Sequence, residues 1–166
     1  MTASEPSGRA GTIQDIIGRL TPPDRMPPDR TNGVPATVSD AQVLDLLSAA
    51  RVAPSADNLQ TWRFVVVRSA GRRASLATAA PGLPKETLEG ASVVIVVCGI
   101  RTVVRRARRE QPFALIDVPI ALTHLLLRAA EAGLPHAWTL DVDEDACRRE
   151  LGIPHSARVV AVVALG

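Results

Sequence analysis

Apolar residues along this chain fall into two kinds of block, some spaced for one face of a helix and others unbroken. Val43, Leu44, Leu46 and Leu47 form a stripe running to Ala50, and Ser39 ahead of them suits an N-cap, so a helix is predicted there. Phe64 to Val67 is a short β-branched run and reads as a buried strand. Gly71 to Ala80 is basic and then apolar, which predicts a short helix ended by Pro81-Gly82. Val93 to Ile100, VVIVVCGI, is apolar on both faces and therefore predicts a central strand. From Phe113 to Ala132 the pattern is apolar almost all round, the mark of a buried helix. Pro119 must kink that helix or mark its first turn, and Gly133 suits its C-terminal cap. A domain this small hardly encloses such a helix alone, so it is expected at the middle of a dimer interface. His136 to Leu140 predicts a short strand, Glu144 to Leu151 a polar helix, and Val159 to Leu165 a last strand.

The resulting order of elements predicts an α+β fold, a mostly antiparallel or mixed central sheet flanked by helices. That domain is expected to span 39–166. Ahead of it, 1–11 is small and polar and predicts a disordered tail. Residues 12–38 predict a short helical segment through Ile13, Ile16, Ile17 and Leu20, then a proline-rich arm. The arm carries a small duplication, Pro22-Pro23-Asp24-Arg25 and Pro27-Pro28-Asp29-Arg30, which reads as an extended linker. It would serve as a spacer toward a neighbouring subunit; the alternative is that Arg25 or Arg30 touches a ligand phosphate.

Composition narrows the function classes. The chain has 166 residues, enough for one domain with a real core, and a formal net charge of +2, which predicts no particular partner. Its two cysteines, Cys98 and Cys147, lie far apart and fit neither a disulfide framework nor a metal site. The three histidines, His124, His136 and His155, lack metal-ligand spacing, so no metal is expected. No apolar run approaches the roughly 20 residues needed to span a bilayer, and the N-terminus lacks a signal-peptide core. No membrane partner and a cytoplasmic location are therefore expected. Arg101 to Arg109 holds five arginines, read as a solvated face. Without interleaved aromatics that run predicts no nucleic-acid partner.

The chemistry concentrates in Ala50 to Val67, where the loop Pro54-Ser55-Ala56-Asp57-Asn58-Leu59-Gln60-Thr61 joins the first helix to the first strand. Ser55, Asn58 and Gln60 offer donors and acceptors side by side, suited to a ring edge whose carbonyl and N–H groups alternate. On the residues alone, Ser55 and Asn58 could equally cap the turn while Gln60 satisfies backbone.

The stretch AARVAPSADNLQTWRFVVV resembles the A-P-S-x-x-N-x-Q-P-W-x-F signature of the nitroreductase family of flavoenzymes. FALIDVPIALTHLLLRAAEAGL and LGIPHSARVVAVVALG resemble later parts of the same family, in the same order. The resemblance implies FMN as cofactor, held partly by Pro54, Ser55, Asn58 and Gln60, with the loop reaching the flavin of the partner in a homodimer. It also implies NAD(P)H as hydride source and an electron-poor small molecule as acceptor, or dehydrogenation of a small substrate. The family's arginine-rich phosphate grip has its loosest echo in Arg30-Thr31, and the sequence here runs only to Gly166. Arg25, Arg30 or an arginine of 101–109 would then have to meet the phosphate. Thr61 replaces the family's proline, Asp57 adds an acid to the loop, and Thr139 and Leu140 stand where the family has glycine near the flavin ring. The competing expectation is a flavin-poor nitroreductase-like binding or assembly subunit, whose N-terminal arm docks a second subunit.

Overall fold

The computed structural model describes residues 37–101, 104–106 and 109–166, with 104–106 and 109–111 described by backbone alone. The expectations for 1–36, including the proline-rich arm, Arg25 and Arg30, lie outside the described residues.

Helix α1 (Asp40–Arg51) starts where its cap dictates. Ser39 Oγ accepts from the Gln42 amide at 3.2 Å, and Gln42 Oε1 accepts from the Ser39 amide at 2.9 Å. This reciprocal pair satisfies two donors that the first turn would otherwise leave bare. Val43, Leu46 and Ala50 are its buried stripe. A 3₁₀ turn (Ala56–Asn58) follows, then β1 (Trp62–Val67), α2 (Ala70–Ser75) with a 3₁₀ continuation at Leu76–Thr78, and α3 (Lys85–Gly90). Next come β2 (Val93–Ile100), β3 (Val104–Arg106), β4 (Arg109–Gln111) and the long α4 (Ala114–Glu131). The chain finishes with β5 (His136–Thr139), α5 (Glu144–Leu151) and β6 (Ala157–Leu165).

Four strands pair in the order β1-β2-β6-β5, every pair antiparallel, while β3 and β4 form a separate hairpin. The fold is therefore α+β, as the block pattern predicts. β2 and β6 are the inner strands and bury both faces, which is why they read as unbroken apolar runs. On one face Val93, Ile95, Val97, Ala161, Val163 and Leu165 meet α1 and α4. On the other, Val94, Val96, Cys98, Val162 and Ala164 meet the layer built by Leu76, Leu83, Leu88 and Cys147. Both thiols are buried, and burial pushes each up to about 11, so they stay protonated near neutrality.

Two details differ from the pattern-based expectation. The single helix expected over 71–80 is a short α-helix followed by a 3₁₀ turn, and α3 was not anticipated because it buries only Leu88. The arginine run contributes strand backbone that the pattern does not predict, with Arg105 opposite Glu110. Of the two places offered for Pro119, α4 takes the inner one: the residue sits one turn inside the helix, where the N–H it lacks removes one helical bond.

His136 is buried in the sheet, its Nδ1 donating to the Leu134 carbonyl at 2.9 Å and its Nε2 without a partner among the described residues. Burial lowers its pKa from the ordinary 6.5. Because the unfolded chain takes up this proton first, the contribution is intact above about pH 6.5 and is lost as pH falls toward the depressed folded value. Urea midpoints measured between pH 8 and pH 5 should fall with acid in the parent and fall less steeply in His136→Gln. Parallel slopes for the two proteins would refute this.

Candidate flavin-binding loop

The 54–61 loop is shaped by its own hydrogen bonds. The Asn58 amide donates to the Ser55 carbonyl and the Leu59 amide to the Ala56 carbonyl, both at 3.0 Å. The Gln60 amide donates to Ser55 Oγ at 3.0 Å. These bonds curl the chain so tightly that Asp57, Asn58 and Gln60 all take positive φ, at 51°, 55° and 48°. Asn and Asp tolerate the left-handed region; a glutamine there costs on the order of 1 kcal/mol. Three such residues within four positions make this the most unusual backbone among the described residues, and such backbone concentrates at ligand sites.

The curl sets the side chains out as a pair. Gln60 Nε2 donates to Asn58 Oδ1 at 3.0 Å, and both residues are exposed. Among the described residues that bond leaves Asn58 Nδ2 without an acceptor and Gln60 Oε1 without a donor. The two amides thus present a donor and an acceptor side by side, which fits the polar edge of an imide-containing ring.

Several contacts among the described residues fasten the loop to the body. The Ala56 amide donates to both carboxylate oxygens of Asp117 on α4, at 3.1 and 3.2 Å. The Ile100 amide donates to the Thr61 carbonyl at 2.8 Å, continuing the β1–β2 ladder to the loop's edge. Arg63 Nη1 donates to the carbonyls of Gln60 at 3.1 Å and Trp62 at 2.7 Å, covering the outer edge of β1. Thr61, standing where proline was expected, keeps a buried hydroxyl without a partner among the described residues.

Of the residues the sequence singled out, Pro54, Ser55, Asn58 and Gln60 are together in this loop. Arg30 lies outside the described residues. Thr139 ends β5, three strand spacings from β1, or ~14 Å across the sheet. Its hydroxyl accepts from the Asp141 amide at 2.9 Å. Within one chain it does not join the loop. His124 contacts the Ala49 carbonyl through Nδ1 at 3.3 Å. Arg63 and the anchoring role of Asp117 escaped the sequence reading. The available signal for Asp117 was an acid on the buried stripe of an otherwise apolar helix.

Among the described residues, no three of His, Cys, Asp and Glu gather as a metal would need, and no helix is long and apolar enough to cross a membrane. Fold and loop together define an α+β protein with a polar, backbone-strained loop at the end of its sheet. The chain belongs to the nitroreductase family: the family model matches residues 34–86 and 71–166. A protein of Archaeoglobus fulgidus whose name pairs NADH dehydrogenase with NAD(P)H nitroreductase is 32% identical over 133 residues, 78% of this chain and 74% of that protein. A nitroreductase family protein of Clostridium novyi superposes with a TM-score of 0.79 at 22% identity, covering 94% of this chain and 86% of that one. An FMN-dependent nitroreductase of Clostridium difficile gives 0.70 at 23% identity, covering 90% and 86%. At such identities the two structures speak for the fold alone.

Proposed function

We propose that this protein is an FMN-dependent oxidoreductase that takes hydride from a reduced nicotinamide and passes it to an electron-poor small molecule. The observation that carries this reading is the Asn58–Gln60 pair, whose free donor and free acceptor match the alternating carbonyl and N–H groups of a flavin's pyrimidine edge. Family membership and the relatives' names support the same reading. Bound FMN would supply the redox chemistry. The chain's own part is to orient the ring through Asn58, Gln60 and Ser55 and to leave one face open.

The homodimer is part of the proposal. Leu115 and Ile116 on α4, Leu44 on α1 and Val52 just past its end remain exposed in the single chain, as a helix pair seated on a second copy would require. The phosphate is assigned to arginines of 25–30 or 101–109, since a dianion stripped of water needs cations or directed N–H groups.

Purified protein should be yellow, or turn yellow on addition of FMN, and should oxidise NADH or NADPH when a nitroaromatic or quinone is supplied. Asn58→Ala should weaken FMN binding about tenfold, the worth of one or two lost hydrogen bonds, and lower stability by about 1 kcal/mol, because alanine tolerates this left-handed position less well than asparagine. Colourless protein that takes up no added FMN would overturn the reading and leave the binding-subunit alternative standing.

A further inference from the structure

We infer that Asp117 is a positioning residue for the Asn58–Gln60 pair, acting from α4 through the Ala56 amide. The inference rests on the flavin reading for its functional meaning, but the geometry stands on its own. Asp117 is only 2% exposed, yet it lies on a helix otherwise lined with Val118, Ala121, Leu122 and Leu125. A carboxylate at such a place costs stability unless it is matched by donors. Its match is the bifurcated bond from Ala56, helped by its place near the positive end of α4. The partners lie 61 residues apart in sequence, so the bond serves tertiary placement and not the helix itself.

Other contacts of the loop act elsewhere: the bonds among Ser55, Ala56, Asn58, Leu59 and Gln60 close the curl upon itself, and those of Thr61 and Arg63 hold its far end. Ala56 is the first residue of the 3₁₀ turn, so fixing its N–H fixes the direction in which the turn leaves α1. The bond also falls in a row of contacts between two antiparallel helices. Asp45 meets Arg128 at 2.7 Å, Ala49 meets His124, and Ala56 meets Asp117. Only the last rung reaches beyond α1 into the loop.

The test uses the full chain and two readouts, FMN affinity and amide hydrogen exchange over 55–61, in the absence and presence of FMN. Asp117→Ala should raise the FMN dissociation constant at least tenfold and speed exchange in that segment in the protein without FMN. It should also alter the absorbance of whatever flavin binds, which reports on bonds at the ring edge. Asp117→Asn keeps an acceptor oxygen and should restore most of both. Ala56→Pro removes the donor from the opposite side; Ser55, at φ −141° and ψ 154°, already has the extended backbone that precedes proline comfortably. Combined with Asp117→Ala it should add little, because both delete one bond. His124→Ala, which loosens the neighbouring rung, should lower thermal stability without these effects.

Unchanged exchange over 55–61 in Asp117→Ala and Ala56→Pro would overturn the assignment, whatever happens to FMN. So would equal FMN loss in His124→Ala, which would reduce the effect to general loosening of α4. If the parent binds no FMN while exchange behaves as expected, the positioning role survives and the flavin reading falls. Should Asp117→Ala fail to fold, Ala56→Pro and Asp117→Asn decide the question alone.

Discussion

Replacing Gly82 by alanine is expected to lower the unfolding free energy by about 1–3 kcal/mol, the usual cost of forcing a methyl group into filled space. A Cβ built on Gly82 overlaps Thr139 Oγ1 and comes within 3.0 Å of both Thr139 Cβ and Asp141 Cβ. Thr139 cannot rotate away cheaply, because its hydroxyl is held by the Asp141 amide and its side chain is buried. The turn carrying Gly82 must therefore move off the end of β5. Thr139→Ala removes the overlapping oxygen but not the Cβ contact, so the double variant should recover part of the loss. Urea midpoints of the two single variants and the double variant measure this coupling. Gly82→Ala as stable as the parent, or a double variant with strictly additive losses, would contradict it.

The same contact shows where the sequence can be read and where it cannot. Pro81-Gly82 is legible as a stop, since those residues end helices anywhere. That Gly82 is also the space into which Thr139 fits is not legible, because the partner lies 57 positions on and nothing local points to it. Elements whose burial is visible in one dimension were readable almost to the residue. β2 is Val93–Ile100 and α5 is Glu144–Leu151, as expected from their runs. α3 was missed because one buried leucine makes no stripe, and the β3–β4 hairpin because charge hid the strand pattern.

In the loop, residue types gave the polar set Ser55, Asn58 and Gln60, and the resemblance gave it a ligand. The left-handed backbone that orients the set comes from bonds closed within the loop, Gln60 to Ser55 Oγ among them, and is invisible in composition. Arg63 was passed over because an exposed arginine in a strand is usually only solvated. Its actual work, bonding the Gln60 carbonyl, depends on the loop turning back toward it.

The second glycine substitution separates stability from site geometry. Gly99 lies on β2 beneath α4, where an added Cβ would stand 3.0 Å from Val118 Cγ2 and 3.2 Å from Ala114 Cβ. Glycine within a strand marks close approach of another element, and here that element is the first two turns of the helix bearing Asp117. Gly99→Val should lower unfolding free energy by about 1–3 kcal/mol. Valine's preference for strands, part of a scale spanning about 1 kcal/mol, offsets only some of that cost. The larger consequence is directional. Extra bulk lifts the first two turns of α4, and Asp117 moves with them, drawing on the Ala56 amide. Gly82→Ala disturbs the opposite sheet face and leaves that bond alone. FMN affinity should therefore drop several-fold more in Gly99→Val than in Gly82→Ala when the two are compared at similar stability. Hydrogen exchange over 55–61 should rise only in Gly99→Val. If the two variants lose FMN in proportion to their lost stability alone, α4 is merely a packing element and Asp117 positions nothing.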